Sequence, residues 1–211
     1  MSVSKMKAGL PIIAFASAAA WEKWLSAQPR TCKGLWLKLA KKDSGVASVS
    51  RQEAIDGALC YGWIDGQLDK FDERFWLVRY TPRSRRSKWS KINQVRAQEL
   101  IEQKRMKAAG LEEVNLAKTD GRWEAAYAPQ SKATVPDDLQ AALDSNPRAK
   151  SFFAELNSPN RYAILYRVHD AKKAETRTAR ITKFVQMLAK GETIHPMNAK
   201  KTTGQKTKPK N

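Results

Sequence analysis

Residues 61–82 constrain the fold more than any other part of this chain. Residues 63–68 open on Trp63 and Ile64, and residues 75–81 are rich in aromatic and β-branched side chains, so both read as strand-like. The polar connection D-K-F-D-E-R (69–74) separates them, so the segment predicts a β-hairpin. Pro82 cannot donate to a ladder and closes the second strand. Ser87 and Ser90 follow, and either can cap a helix predicted to run to Ala108 and stop at Gly110. A hairpin leading directly into a helix start sets the reading for the rest of the molecule.

Further strands and helices fit around it. Ser17 is a sensible N-cap for a helix carrying Trp21, Trp24 and Leu25 at helical spacing. Residues 34–39 (GLWLKL) read as a strand, with 46–49 expected to pair back on it. Ser50 caps a helix through Tyr61 with Ile55, Ala58 and Leu59 on one face. A short helix is expected around 122–127. Helices are then expected at 137–143, 148–156, 160–170 and 174–189, with Pro136, Pro147 and Pro159 near their starts.

The fold class implied is α+β: a small antiparallel sheet packed with helices, followed by a C-terminal helical segment. The expected division is an α+β domain over 1–127, a connector over 128–135, a helical domain over 136–196 and a basic disordered tail over 197–211.

Charge and cysteine content narrow the partners. A net charge of +18 favours encounter with polyanions, whether nucleic acid, lipid or acidic protein. Cys32 and Cys60 are the only cysteines, which suits a reducing cytoplasm. The N-terminal run A-G-L-P-I-I-A-F-A-S-A-A-A (8–20) superficially resembles a leader, but Pro11 and Ser17 interrupt it and it flows into the first helix. It is expected to belong to the fold. No apolar run approaches the roughly 20 residues needed to span a bilayer.

The best candidate site is the helix start near 87–90. Unpaired amides there attract anions, and Arg83, Arg85, Arg86 and Lys88 crowd the same end. Cations at a helix start are unfavourable by a few tenths of a kcal/mol to about 1 kcal/mol unless an anion sits among them. That anion is either a ligand or a protein carboxylate such as Asp65, Asp69 or Asp72; the alternative is a solvated basic loop with no anion site. Which of Arg83, Arg85 and Arg86 would contact it is open. The candidate ligand-binding set is Trp63, Asp65, Arg79, Arg83, Ser87, Trp89 and Asn93. Asp65 and Arg79 would face each other across the hairpin only in one register. Cys60 has Asp56 one helical turn away, which disfavours a thiolate. Two histidines and two scattered cysteines show no zinc spacing, so no metal and no cofactor are expected. There is no Gly-rich phosphate loop and no nucleophile elbow.

Taken in order, E-A-I-D-G-A-L-C-Y-G-W-I-D-G (53–66), Y-T-P-R (80–83), S-K-W-S-K-I-N (87–93) and M-K-A-A-G-L (106–111), with the helical stretch 135–191, resemble the YdeI/OmpD-associated, or bacteriocin-protection, family. The likeness extends over about residues 11–196. It implies a role in resisting bacteriocins or cationic peptides and an association with an outer-membrane porin, but no reaction and no catalytic residues. Without export, contact with a porin would be indirect, as in a stress response.

The resulting expectation is a cytoplasmic, non-enzymatic binding protein whose partner is an anionic small molecule or an acidic protein. Two alternatives stay open. One is a nucleic-acid-binding protein using its basic surface and tail, and the other an enzyme acting on a small anionic substrate.

Overall fold

The computed structural model describes residues 5–197. The chain divides into two compact units, Met1–Tyr127 and Ala128–Asn211. The basic tail lies outside the described residues apart from Met197, which is exposed.

Unit 1 is built on a five-stranded sheet of order β1-β2-β3-β5-β4, with β1 (Met6–Lys7), β2 (Leu10–Ala14), β3 (Leu35–Ala40), β4 (Trp63–Lys70) and β5 (Phe75–Pro82). The sheet is mixed and not purely antiparallel, because β2 pairs with β3 in parallel. The cause is α1 (Ala18–Ser26), which lies between them in sequence and supplies the crossover that a parallel pair requires. β2 corrects the reading of residues 8–20, whose apolar run is a strand as well as a lead-in to the helix. Ser17 does cap α1, accepting a bond from the Ala20 amide at 3.3 Å. Residues 46–49 form no strand. The backbone of Val49 instead bonds to Phe15, and β3 finds its antiparallel partner in β5.

Opposite residues on paired strands share a face. One face carries Leu35, Leu37, Leu39, Val78, Tyr80 and Trp63 and buries them against Trp21, Leu25, Ala54 and Ala58. The last four belong to α1 and to α2 (Arg51–Cys60), which starts at a reciprocal Ser50–Glu53 capping box. The other face holds a smaller cluster of Leu10, Trp36 and Leu77.

Where one long helix is expected, two are found: α3 (Lys91–Glu102) and α4 (Ala108–Thr119). Ser90, not Ser87, is the α3 cap, accepting from the Asn93 amide at 3.1 Å. The chain breaks at Lys104, which takes a left-handed φ of 58°. Gly110 ends nothing. It is buried inside α4, where a Cβ would collide with the Cys60 carbonyl and come within 2.6 Å of that of Leu59. Its bare backbone therefore lets α4 dock on the end of α2. Residues 121–125 form turns and not the short helix expected there.

Among the described residues, unit 2 contains a short 3-10 turn at Gln130–Lys132 and four helices: α5 (Asp137–Asp144), α6 (Pro147–Glu155), α7 (Ser158–His169) and α8 (Ala174–Ala189). Leu139, Leu143, Phe153, Ile164, Val168, Ile181, Phe184 and Leu188 form its core. The α+β class stands. Among the described residues no helix is long and apolar enough to cross a membrane.

Candidate functional site

The turn from α2 into β4 and the exit from β5 meet at one place. Gly62 adopts φ +74°, and its carbonyl accepts the Arg83 amide at 2.9 Å. A Cβ on Gly62 would lie 2.8 Å from the Ala109 carbonyl, so glycine is needed for α4 to approach here. Around this junction lies a pocket of about 250 Å³. Leu25, Pro29, Tyr61, Trp63 and Pro82 supply its apolar walls, and Arg30, Arg83 and Glu113 supply charge.

Arg83 is the unusual member. It is only 7% exposed, and its guanidinium carbon lies over the Trp89 ring, 3.7 Å from the centroid. Nη1 donates to the Lys88 carbonyl at 3.3 Å, while Nε and Nη2 are buried without a partner. Burial pulls its pKa down to about 10, with Glu113 and Asp65 pulling the other way. It therefore stays charged at neutral pH. Burial likewise raises the pKa of Glu113, against the attraction of Arg122, Arg30 and Arg83. The ion pair Glu113 makes is with Arg30, at 3.7 Å.

The loop after Arg83 is pinned from within. The Ser84 amide donates to Ser87 Oγ at 3.0 Å, and the Ser87 amide to the Ser84 carbonyl at 2.9 Å. Arg122 reaches in to donate to the carbonyls of Ser84 and Ser87 at 3.3 and 3.1 Å, while Asp120 holds its Nε. Trp89 packs against Trp123 with ring centroids 4.9 Å apart, and its Nε1 is also buried and unpaired.

The residues expected to form one site divide into separate places. Trp63 and Arg83 line the pocket, and Trp89 floors Arg83. Ser87 shapes the adjoining loop. Asp65 stands opposite Tyr80 and Arg79 opposite Trp36, so the pairing of Asp65 with Arg79 does not form and the two point to opposite sheet faces. Asn93 sits on the first turn of α3, beside an Ile92 that is exposed and not part of a core stripe. Asp65, Arg79 and Asn93, which an enzymatic site would have to gather, are all absent from the pocket lining. Arg85 and Arg86 are exposed, which leaves Arg83 as the arginine of that cluster set into the pocket wall. Glu113 and Arg122 were not legible as site residues. They come from α4 and the turn after it, and the close-packing Gly110 was the one local signal that this segment returns to α2.

Cys60 is an inert thiol. Burial pushes its pKa up to about 11, and Glu22 and Asp56 add to that against Arg105 and Lys107. Asp56 is occupied structurally: Arg96 grips both its oxygens, and Gln52 donates to it at 2.9 Å. Among the described residues no three His, Cys, Asp or Glu side chains converge as metal ligands.

Fold and site together define an α+β unit with a small pocket walled partly by a buried, under-paired arginine, joined in sequence to a helical unit. Residues 132–191 match the family described as Bacteriocin-protection, YdeI or OmpD-Associated, so the likeness read from the sequence holds in unit 2. Residues 13–113, which contain the hairpin and helix-start motifs, match a separate family model, a domain of unknown function (DUF8412). No curated protein and no solved structure matches the chain.

Proposed function

We propose that this chain is a non-enzymatic cytoplasmic binding protein contributing to bacteriocin, cationic-peptide or envelope-stress tolerance, and that unit 1 binds an anionic group. The anion belongs to a small molecule or to an acidic side chain of a partner protein. The observation that carries this is Arg83, a charged side chain in the pocket wall with two buried nitrogens unpaired. A buried cation left partly unpaired is costly, and a bound carboxylate or phosphate relieves that cost. The tolerance role follows from the family matched by residues 132–191. Titration calorimetry with sulfate and phosphate tests the site: Arg83→Ala is expected to weaken binding by roughly tenfold while the protein stays folded. Equal affinity in the two proteins counts against it.

A second reading, nucleic-acid binding, draws on the other face of the unit 1 sheet. There Lys38 Nζ lies 3.8 Å from the Phe75 ring centre and 4.5 Å from that of Phe71, and Lys7 lies 5.3 Å from that of Trp36. Interleaved cations and rings suit a phosphate backbone. Fluorescence anisotropy with a labelled oligonucleotide across salt, with and without the residues after Pro196, separates the cases. A salt slope that vanishes on truncation means tail-driven contact only. A slope kept by the truncated protein and lost in Lys38→Glu supports the sheet face.

A further inference from the structure

We propose that Arg122 completes the Arg83 site, the two guanidinium groups forming a clamp for the oxyanion head of an organic anion. Its apolar body fills the pocket beside Trp63, Tyr61, Leu25 and Pro29. The inference rests on the anion-binding reading of the pocket and goes further by naming the second arm and the ligand class, an aryl or alkyl carboxylate or phosphate monoester.

The two guanidinium groups are anchored to successive carbonyls of one loop. Arg122 Nη1 donates to the Ser87 carbonyl at 3.1 Å, and Arg83 Nη1 donates to the next carbonyl along, that of Lys88, at 3.3 Å. Adjacent carbonyls thus hold the two cations as neighbours, and the charge of Arg122 works against that of Arg83. Each group then leaves Nη2 buried and unpaired, and Arg83 leaves Nε as well. All of these are donors, so what they lack is an acceptor.

Asp120 satisfies one edge of Arg122 only, through Nε. Glu113 attracts both arginines electrostatically, yet its ion pair is with Arg30 at the pocket edge. A carboxylate or phosphate carries several acceptor oxygens in the spacing that guanidinium forks match. Arg83 also belongs to the pocket lining, so an anion held by it has the apolar walls within reach of its organic part. Glu113 is then a competing carboxylate that a bound ligand must outdo.

Calorimetry on the full chain at low salt, with phenyl phosphate, benzoate and inorganic phosphate as probes, tests this. Phenyl phosphate or benzoate is expected to bind roughly tenfold more tightly than inorganic phosphate, because only they fill the pocket. Which of the two binds better identifies the head group. Arg122→Gln is expected to lower that affinity roughly tenfold. If Arg83→Gln abolishes binding while Arg122→Gln matches wild type, the clamp is overturned and the pocket reading stands. If wild-type protein binds none of the probes, the pocket reading fails and takes the clamp with it.

Arg122 also holds the 84–87 loop, so a variant that leaves that loop alone is needed. Glu113→Gln removes the competing carboxylate and is expected to tighten binding about threefold. Unchanged or weaker binding in that variant also overturns the clamp.

Discussion

The two units differ in how completely they pair their buried polar groups. In unit 2 the buried Asn160 is closed on all sides. Its Nδ2 donates to Asn157 Oδ1 and to the His195 carbonyl, both at 3.0 Å, and its Oδ1 accepts the His195 amide at 2.8 Å. At the surface of the same unit Arg177 forks onto Asp138, with Nη1 on the Val168 carbonyl at 2.9 Å. In unit 1, Arg79, Tyr80, Arg83, Trp89 and Arg122 each keep at least one buried nitrogen or oxygen without a partner. Native interiors pair nearly all such groups. Of the five, Arg83 lines the pocket, and Trp89 and Arg122 adjoin it through the Arg83 ring contact and the 84–88 loop.

Four substitutions test that contrast, beginning with the largest effect. Asp56 shows that unit 1 can also pair a buried charge well, and Asp56→Asn is expected to cost about 3 kcal/mol in urea denaturation by removing the charged acceptor that Arg96 grips with two bonds. Burial would raise the pKa of Asp56, but the hydrogen bonds of Arg96 and Gln52 and the charges of Arg96 and Arg105 lower it overall. Its contribution is therefore fully present above the unfolded carboxyl value of about 3.9 and lost as pH falls through the lower folded value. Stability measured against pH should fall less steeply in that acid range in Asp56→Asn than in wild type. An unchanged acid slope would mean that Asp56 is not the group responsible.

Gly110→Ala is expected next, at about 2 kcal/mol of destabilisation. The new methyl meets two backbone carbonyls that cannot swing aside, and this outweighs a gain in helix propensity of about 1 kcal/mol. Wild-type stability in this variant would show that α4 slides freely on α2.

Asn160→Leu should cost about 2 kcal/mol by leaving the His195 backbone groups unmatched. Arg83→Met should change stability by no more than about 1 kcal/mol, since it removes a charge that is only partly paired along with its contact to Trp89. These two sharpen the comparison most directly. Should Arg83→Met destabilise as much as Asn160→Leu, the arginine is a structural member and the distinction between the units dissolves.

Much of the fold was legible because its signals are local. Ser17, Ser50 and Ser90 each cap the helix that follows them, and the hairpin of β4 and β5 lies where its aromatic and polar spacing put it. What was missed depends on distant partners. β2 has Pro11 within it and reads as strand only once β3 lies alongside. The break between α3 and α4 falls at Lys104, where neither glycine nor proline announces it. Trp63 and Arg83 flank one hairpin in sequence and line one pocket in the structure. Arg79 was misassigned because only the register decides which face a strand residue takes. Glu113 and Arg122 reach this region from α4 and the turn after it, brought back by tertiary packing that no spacing within 61–93 encodes.

The mixed sheet also bears on how the chain reaches this structure. β3 is hydrogen-bonded on one side to a strand that precedes it across α1, and on the other to β5, which arrives only after α2 and β4. Its ladder cannot form until two long loops have closed, an entropic delay of the kind that slows folding in chains rich in non-local pairings. The helices of unit 2 follow one another through short connections, and α8 returns to pack on α5 and α6 without any strand pairing. Unit 2 is thus expected to acquire its native packing first in refolding from denaturant, with the arginine-bearing pocket forming in the slower phase.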